Sequence, residues 1–168
     1  MAAQPRLATL ADLPAIEELE RACFQDYRRA SPDSLRRSLT SPKQSVWVVD
    51  RAPSPSSPPS PRPVASAVPP APPRLSGLLV LWHFPHRLRV YDIATDPAAR
   101  GQGLGGMLLA HAESLAHAAG CSWLTLEAEE ADQRLVAWYQ RHGFAAVDRL
   151  ADFYHEGCHA VRMTKRLG

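Results

Sequence analysis

The sequence lacks the features that mark several common classes of protein. Its 168 residues contain three cysteines, Cys23, Cys121 and Cys158. These are widely spaced and include no Cys-x-x-Cys pair, so neither a disulfide framework nor a thiol-based metal site is expected. The longest apolar run, at residues 78–82, is too short to cross a bilayer, and the N-terminus carries no signal-like stretch. We therefore expect a cytoplasmic protein without a membrane anchor.

A large excess of charge of one sign is missing as well. The chain has 19 Lys and Arg residues against 17 Asp and Glu residues, a formal net charge of +2. The basic residues form no block of the kind that neutralises a phosphate backbone. Nucleic acid is therefore not an expected partner.

Proline is the residue in local excess. Residues 52–74 hold ten of the sixteen prolines, mixed with Ser and Ala. Such a stretch has too little apolar content to offset the entropy of ordering it. We predict a disordered loop inserted between two strands of a single domain that spans residues 1–168. A ligand for proline-recognising modules is the alternative interpretation.

Hydrophobic periodicity outside this loop predicts an α+β domain. Asp12 is expected to cap a first amphipathic helix, and a second short helix follows Ser31 and Pro32. Later helices are predicted at residues 104–119 and 132–142. Strands are predicted at residues 46–49, 77–84, 88–95, 123–127, 145–150 and 159–164.

A glycine-rich loop precedes the third of these helices. It reads Arg100-Gly101-Gln102-Gly103-Leu104-Gly105-Gly106, so backbone N–H groups without Cβ obstruction point outward at the positive end of a helix dipole. The loop therefore predicts a phosphate-bearing ligand. Glycines 101, 103 and 106 also satisfy Gly-x-Gly-x-x-Gly, with Glu127 as a ribose-binding acid, which leaves a dinucleotide oxidoreductase as an alternative. The five residues between the strand and the first glycine favour the first interpretation.

These motifs in their order resemble the GCN5-related N-acetyltransferase (GNAT) superfamily. The resemblance rests on residues 91–97, on Arg100-x-x-Gly103-x-Gly105 with Leu108-Leu109, on Leu126-Glu127, on Trp138-Tyr139 and on Gly143-Phe144. The later order of Glu127, Tyr139, Phe153-Tyr154 and residues 160–163 is most similar to the ribosomal-protein-alanine N-acetyltransferase (RimI-like) branch. The resemblance implies a mixed, mostly antiparallel sheet that is splayed in the middle and flanked by about four helices.

The resemblance also implies a set of site residues. Acetyl-CoA would lie in the splayed gap as a co-substrate. Glu127 would take a proton from the acceptor amine, directly or through water, and Tyr139 would donate to the departing thiolate. Phe24, Tyr27, Phe153 and Tyr154 would line the acceptor channel. The residues expected to hold the coenzyme are Ile93, Ala94, Thr95, Arg100, Gly101, Gln102, Gly103, Leu104, Gly105, Gly106, Asp132 and Tyr139.

The nature of the acceptor follows from amine chemistry. A peptide α-amine has a pKa near 8 and a lysine side chain a pKa near 10.4. A single carboxylate base can therefore deprotonate a protein N-terminus more easily than a lysine side chain, so a protein N-terminus is the expected acceptor. A small-molecule amine, a lysine side chain and a silent acetyl-CoA sensor are alternatives. His155, Cys158 and His159 are more typical of a polar turn than of a metal site, so no metal is expected. We expect a monomer or weak dimer.

Overall fold

The computed structural model describes residues 4–52 and 74–168, which form one seven-stranded sheet and four α-helices. The predicted loop at 52–74 lies outside these residues, apart from its two end positions. The helices are α1 (Leu13–Cys23), α2 (Pro32–Thr40), α3 (Leu104–Ala118) and α4 (Gln133–Arg141). The strands are β1 (Arg6–Leu7), β2 (Gln44–Asp50), β3 (Leu75–Phe84), β4 (Arg87–Thr95), β5 (Trp123–Glu129), β6 (Ala145–His155) and β7 (Cys158–Arg166).

The strands are ordered β1-β2-β3-β4-β5-β7-β6 across the sheet. Every neighbouring pair is antiparallel except β4 and β5, which are parallel. The parallel pair is joined through α3, as parallel strands require a long crossover. The predicted α+β class, with a mixed and mostly antiparallel sheet and four helices, is confirmed. None of the helices in the described ranges is both long and apolar enough to cross a bilayer.

Each face of the sheet carries its own hydrophobic core. One core lies under α3 and α4 and includes the fully buried Leu81, Leu108 and Leu126. The other lies under α1 and α2 and includes Ile16 and Leu78. Strand β3 contributes to both cores because successive side chains of a strand point to opposite faces. The near-continuous apolar run of β3 therefore reflects a strand that is covered on both sides.

A β-bulge at Tyr91 changes this alternation in β4. Val90 pairs with Leu81, and the next pair along the ladder joins Asp92 to Val80. Tyr91 is therefore the extra residue, and the side chains that follow it switch faces. Asp92 consequently lies on the face covered by α1, opposite Val80.

Two details of the N-terminal region differ from the prediction. Strand β1 was not predicted; its Arg6 guanidinium binds the carboxylates of Asp12 and Asp50 at 2.8 and 2.7 Å. Asp12 does occupy the N-cap position of α1, but its side chain makes no cap to that helix and accepts instead from the backbone N–H of Thr9 at 2.7 Å. The prediction of a side-chain cap was wrong because a positively charged partner from a neighbouring strand binds this carboxylate.

Gly77 lets α3 approach β3 closely. A Cβ atom at this position would lie 3.1 Å from Cδ1 of Leu108 and 3.5 Å from Cβ of Val49. Gly77→Val should therefore lower the free energy of unfolding by about 1–3 kcal/mol through overpacking, measured by urea denaturation. Ala146→Val, at an exposed position of β6, is the matched control and should leave the midpoint unchanged. Equal midpoints for the two variants would contradict this packing.

Candidate active site

The centre of the sheet is open between β4 and β5. The two strands pair only through Arg87–Arg89 with Trp123–Thr125. Beyond Arg89 and Thr125 the ladder ends, while β4 continues to pair with β3 and β5 continues to pair with β7 on their outer edges. The facing edges of residues 91–95 and 126–129 are therefore left for another partner. The predicted splay in the middle of the sheet is confirmed.

A cavity of about 550 Å³ opens at this splay. Its walls come from the end of β4, the glycine loop, the start of α3 and the inner side of α4. Of the residues predicted to hold the coenzyme, the lining includes Ile93, Ala94, Thr95, Arg100, Gly101, Gly103, Leu104, Gly105, Gly106, Asp132 and Tyr139. Gln102 is the predicted residue that does not line it. The carboxylate of Asp132 caps α4 by accepting from the N–H of Leu135 at 3.0 Å.

The glycine loop has the geometry of an anion cradle. Gly101 and Gly103 have φ values of +76° and +79°, a region that L side chains rarely adopt. A Cβ at either position would meet nothing within 4 Å, so packing does not explain these glycines. No backbone hydrogen bond of the described turns and loops uses the N–H groups of residues 101–103 as donors. Together with the free N–H groups of the first turn of α3, these donors suit a pyrophosphate.

Tyr139 lies where this cavity reaches the splay. Its side chain is 4% exposed and lines both the cavity and the narrow gap between β4 and β5. The ring packs edge-to-face on Trp138 and Phe144, with centroids 5.0 and 5.8 Å away. Burial raises the pKa of Tyr139 well above its ordinary value, and the charge of Asp92 raises it further. The hydroxyl therefore keeps its proton throughout the physiological pH range and is a hydrogen-bond donor.

A second cavity of about 310 Å³ lies on the opposite side of the gap, between the α1–α2 connection and the β6–β7 hairpin. Tyr27, Phe153 and Tyr154, three of the residues predicted to contact the acceptor, line it. The fourth, Phe24, lines the glycine-loop cavity and the gap instead. The register of the hairpin shifts between Leu150 and His155, and this irregularity brings the aromatic pair at 153 and 154 over the opening.

Glu127 is held by two arginines at the edge of this second cavity. Its Oε2 accepts from Arg89 Nε at 2.9 Å, and its Oε1 accepts from Arg162 Nε at 3.1 Å. The side chain is 7% exposed. Both carboxylate oxygens of Glu127 are thus engaged by guanidinium groups.

Two residues of the site were not predicted from the sequence. Arg28 lines both cavities and the gap, and its guanidinium lies over the rings of Tyr154 and Phe24 at 4.9 and 5.3 Å. Asp92 lines the gap and the second cavity. A signal for Asp92 was present, since it is an acidic residue inside an otherwise apolar part of β4. Nothing in the sequence around Arg28 distinguishes it from Arg29.

Comparisons with known proteins agree with this architecture. The sequence pattern of the acetyltransferase (GNAT) family matches residues 13–144. This match covers most of the chain, so the chain belongs to the GNAT family of acetyltransferases. The resemblance inferred from the motifs is confirmed.

Individual relatives are more distant. Streptothricin acetyltransferase from Streptomyces lavendulae is 34% identical over 82 residues, which cover 46% of this chain and 43% of that protein. The match thus spans less than half the length of that relative. The ribosomal-protein-S18-alanine N-acetyltransferase from Escherichia coli superimposes with a TM-score of 0.77 at 16% identity, over 99% of this chain and 95% of that one. Nourseothricin acetyltransferase gives 0.70 at 21% identity, over 100% of both chains. At these identities the structural matches show the fold alone.

The glycine loop gives a direct test of the cradle. Gly103→Ala places a side chain at positive φ, which costs about 1–2 kcal/mol, and the exposed loop is expected to relax away from the coenzyme. The Kd for CoA should rise about tenfold, measured by isothermal titration calorimetry. Gly120→Ala is the matched control, because Gly120 also has positive φ and open surroundings but lies at the far end of α3. Equal CoA affinity for the two variants would contradict the cradle.

Proposed function

We propose that the protein transfers an acetyl group from acetyl-CoA to a primary amine, most favourably the α-amine of a peptide or protein N-terminus. The observation that carries the proposal is the meeting of two cavities at one gap in the sheet. The glycine-loop cavity suits a pyrophosphate coenzyme, and the aromatic-lined cavity approaches the same gap from the other side. An acyl donor and an amine acceptor can therefore meet at Tyr139 and the end of β4.

The chain's own backbone would orient the acyl group. The N–H and C=O groups of residues 91–95 that face β5 are released by the splay and can pair with an extended pantetheine arm as a strand would. Amine attack places negative charge on the thioester oxygen, and a fixed backbone N–H beside that oxygen stabilises it. Side-chain identity matters little for this role, which is compatible with Ile93, Ala94 and Thr95.

Tyr139 would stabilise the leaving CoA thiolate. Its raised pKa makes complete proton transfer to the sulfur unfavourable, so the hydroxyl acts as a hydrogen-bond donor. A hydrogen bond to a charged group contributes about 1.5–3 kcal/mol. We therefore expect Tyr139→Phe to lower kcat roughly ten- to a hundredfold.

The melting temperature and the Kd for CoA serve as controls for Tyr139→Phe and should stay close to those of the wild type. The packing of the ring on Trp138 and Phe144 is preserved in Phe. A lower melting temperature with unchanged kcat would instead show that the hydroxyl stabilises the hydrophobic core and does not act in catalysis.

The preference for an α-amine rests on proton chemistry. Attack needs the neutral amine, and at neutral pH deprotonating lysine costs about 3 kcal/mol more than deprotonating a peptide α-amine. The bases near the gap are carboxylates, which are modest bases. The second cavity is also open to solvent between two surface segments, so an extended peptide can enter it without threading through the protein.

A small-molecule amine is the second candidate. The sequence similarity to streptothricin acetyltransferase favours it, and a volume of about 310 Å³ lies at the lower end of the range for small-molecule sites. The two candidates predict different rankings of acceptors on the same enzyme.

The test is an acceptor panel with CoA release as the readout. It compares peptides with free N-termini, an N-blocked lysine peptide, spermidine and streptothricin at pH 7. The proposal predicts that kcat/KM for the best free N-terminus exceeds that for the blocked lysine peptide by roughly a hundredfold. Equal values across the panel would contradict the α-amine preference, and a clear maximum for streptothricin would establish the second candidate.

A further inference from the structure

A positively charged group without a close counter-ion lies where the two cavities meet. Arg28 lines both cavities and the gap between β4 and β5. Among residues 4–52 and 74–168, the carboxylate oxygen nearest to its guanidinium is Oε2 of Glu129, which lies 4.0 Å from Nη1. This separation is too long for a hydrogen bond, and the same oxygen accepts from the hydroxyl of Tyr27 at 3.1 Å. The guanidinium of Arg28 therefore donates no hydrogen bond to a carboxylate of the described chain.

Two aromatic rings hold this guanidinium in place. Its central carbon lies 4.9 Å from the ring centroid of Tyr154 and 5.3 Å from that of Phe24. A ring face attracts a cation without neutralising its charge. The side chain of Arg28 is also only 22% exposed. The group is thus positioned and partly shielded from solvent before a ligand binds, which strengthens an ion pair formed there and lowers the entropic cost of forming it.

The other charged groups that line the second cavity do not compensate this charge. The two remaining arginines of the lining already have carboxylate partners, because Arg29 pairs with Asp26 and Arg89 donates to Glu127 at 2.9 Å. The remaining acid of the lining is Asp92. Burial raises the pKa of that carboxyl well above the ordinary range, so it carries less negative charge than an exposed aspartate. The second cavity therefore has a positive charge to offer an acceptor.

We propose that Arg28 binds a carboxylate of the acceptor, so that the preferred substrate is a peptide N-terminus with an acidic side chain on its first or second residue; this inference rests on the proposed function. A guanidinium binds a carboxylate through two parallel hydrogen bonds, a geometry that lysine cannot provide. Because Arg28 borders the glycine-loop cavity as well as the second cavity, a carboxylate bound to it lies close to the acyl group. The acid must then be near the reacting amine, since successive residues of an extended peptide are about 3.5 Å apart.

The test compares acceptors that differ only by an acid and its amide. Peptides with Asp or Asn at the first residue, and at the second residue, are assayed for CoA release at pH 7. In at least one of these pairs, kcat/KM of the wild type should be roughly ten- to a hundredfold higher for the acid. A pair that differs at the sixth residue is the control and should show equal values. Free alanine and alaninamide form a further pair, which reports whether the carboxylate comes from an amino acid instead of a peptide side chain.

Substitutions of Arg28 assign the preference to this side chain. Arg28→Met removes the charge but keeps a long unbranched stem beside Phe24 and Tyr154, and it should bring the acid-to-amide ratio close to one. Arg28→Lys keeps the charge without the planar fork and should retain only part of the preference. Arg36→Met, at an exposed position of α2, is the matched control for the lost charge and should leave the ratio unchanged. If the melting temperature shows that Arg28→Met does not fold, the ratio of Arg28→Lys decides.

Binding gives a readout that does not depend on turnover. Isothermal titration of the acid and amide peptides into the enzyme–CoA complex should show the same preference in Kd, and the preference should disappear in Arg28→Met. The Kd for CoA itself should stay at the wild-type value in this variant. A weaker affinity for CoA with an unchanged acid-to-amide ratio would mean that Arg28 binds the coenzyme, and it would overturn the inference.

The remaining outcomes separate this inference from the proposed function. A wild type that acetylates free N-termini but treats the acid and the amide of every pair equally overturns the inference and leaves the acetyl transfer standing. A preference that persists in full in Arg28→Met or Arg28→Lys overturns the role of Arg28. A preference confined to alanine over alaninamide supports a carboxylate at Arg28 and contradicts a peptide acceptor. A wild type that acetylates no acceptor overturns the proposed function and this inference with it.

Discussion

The divergence of β4 from β5 is the constraint on which the rest of the structure depends. A sheet normally satisfies backbone N–H and C=O groups by pairing each strand with its neighbours. Here the parallel pair stops after three residues on each strand, and the facing edges beyond it border cavities. The strand edges that lack a neighbouring strand and the two cavities are therefore one feature. Closing the sheet would remove both of the sites that we propose for coenzyme and acceptor.

The two faces of the sheet contribute different functional groups to the candidate site. The face under α3 and α4 supplies the glycine loop, the helix N-terminus and Tyr139, which suit an anionic coenzyme and its leaving group. The face under α1 supplies Arg28 and, through the bulge at Tyr91, Asp92, both of which line the second cavity. A one-residue irregularity in β4 thus moves an acid from the face under α3 to the face under α1, where it lines the second cavity. Without it, Asp92 would point into the core that packs under α3.

Much of this architecture could be predicted from the sequence because it depends on local patterns of apolar residues and glycines. Hydrophobic periodicity located all four helices and six of the seven strands of the described residues, and the glycine spacing located the loop that lines the larger cavity of the site. The missed features depend on contacts distant in sequence: β1 is held by Arg6 bridging Asp12 and Asp50, and Arg28 reaches the gap through a turn without periodic signal. Glu127 remains the predicted base from resemblance. Its binding by Arg89 and Arg162 depends on the pairing of three strands, which spacing does not reveal.

Hydrogen exchange of the backbone amides, with and without CoA, tests the central claim most directly. The structure leaves the N–H groups of residues 91–95 that face β5, and those of residues 101–106, free to bind a coenzyme. These amides should exchange markedly more slowly when CoA is added, while amides that pair β6 with β7 exchange at an unchanged rate. Equal exchange in both segments with and without CoA would contradict a coenzyme site in the splayed sheet.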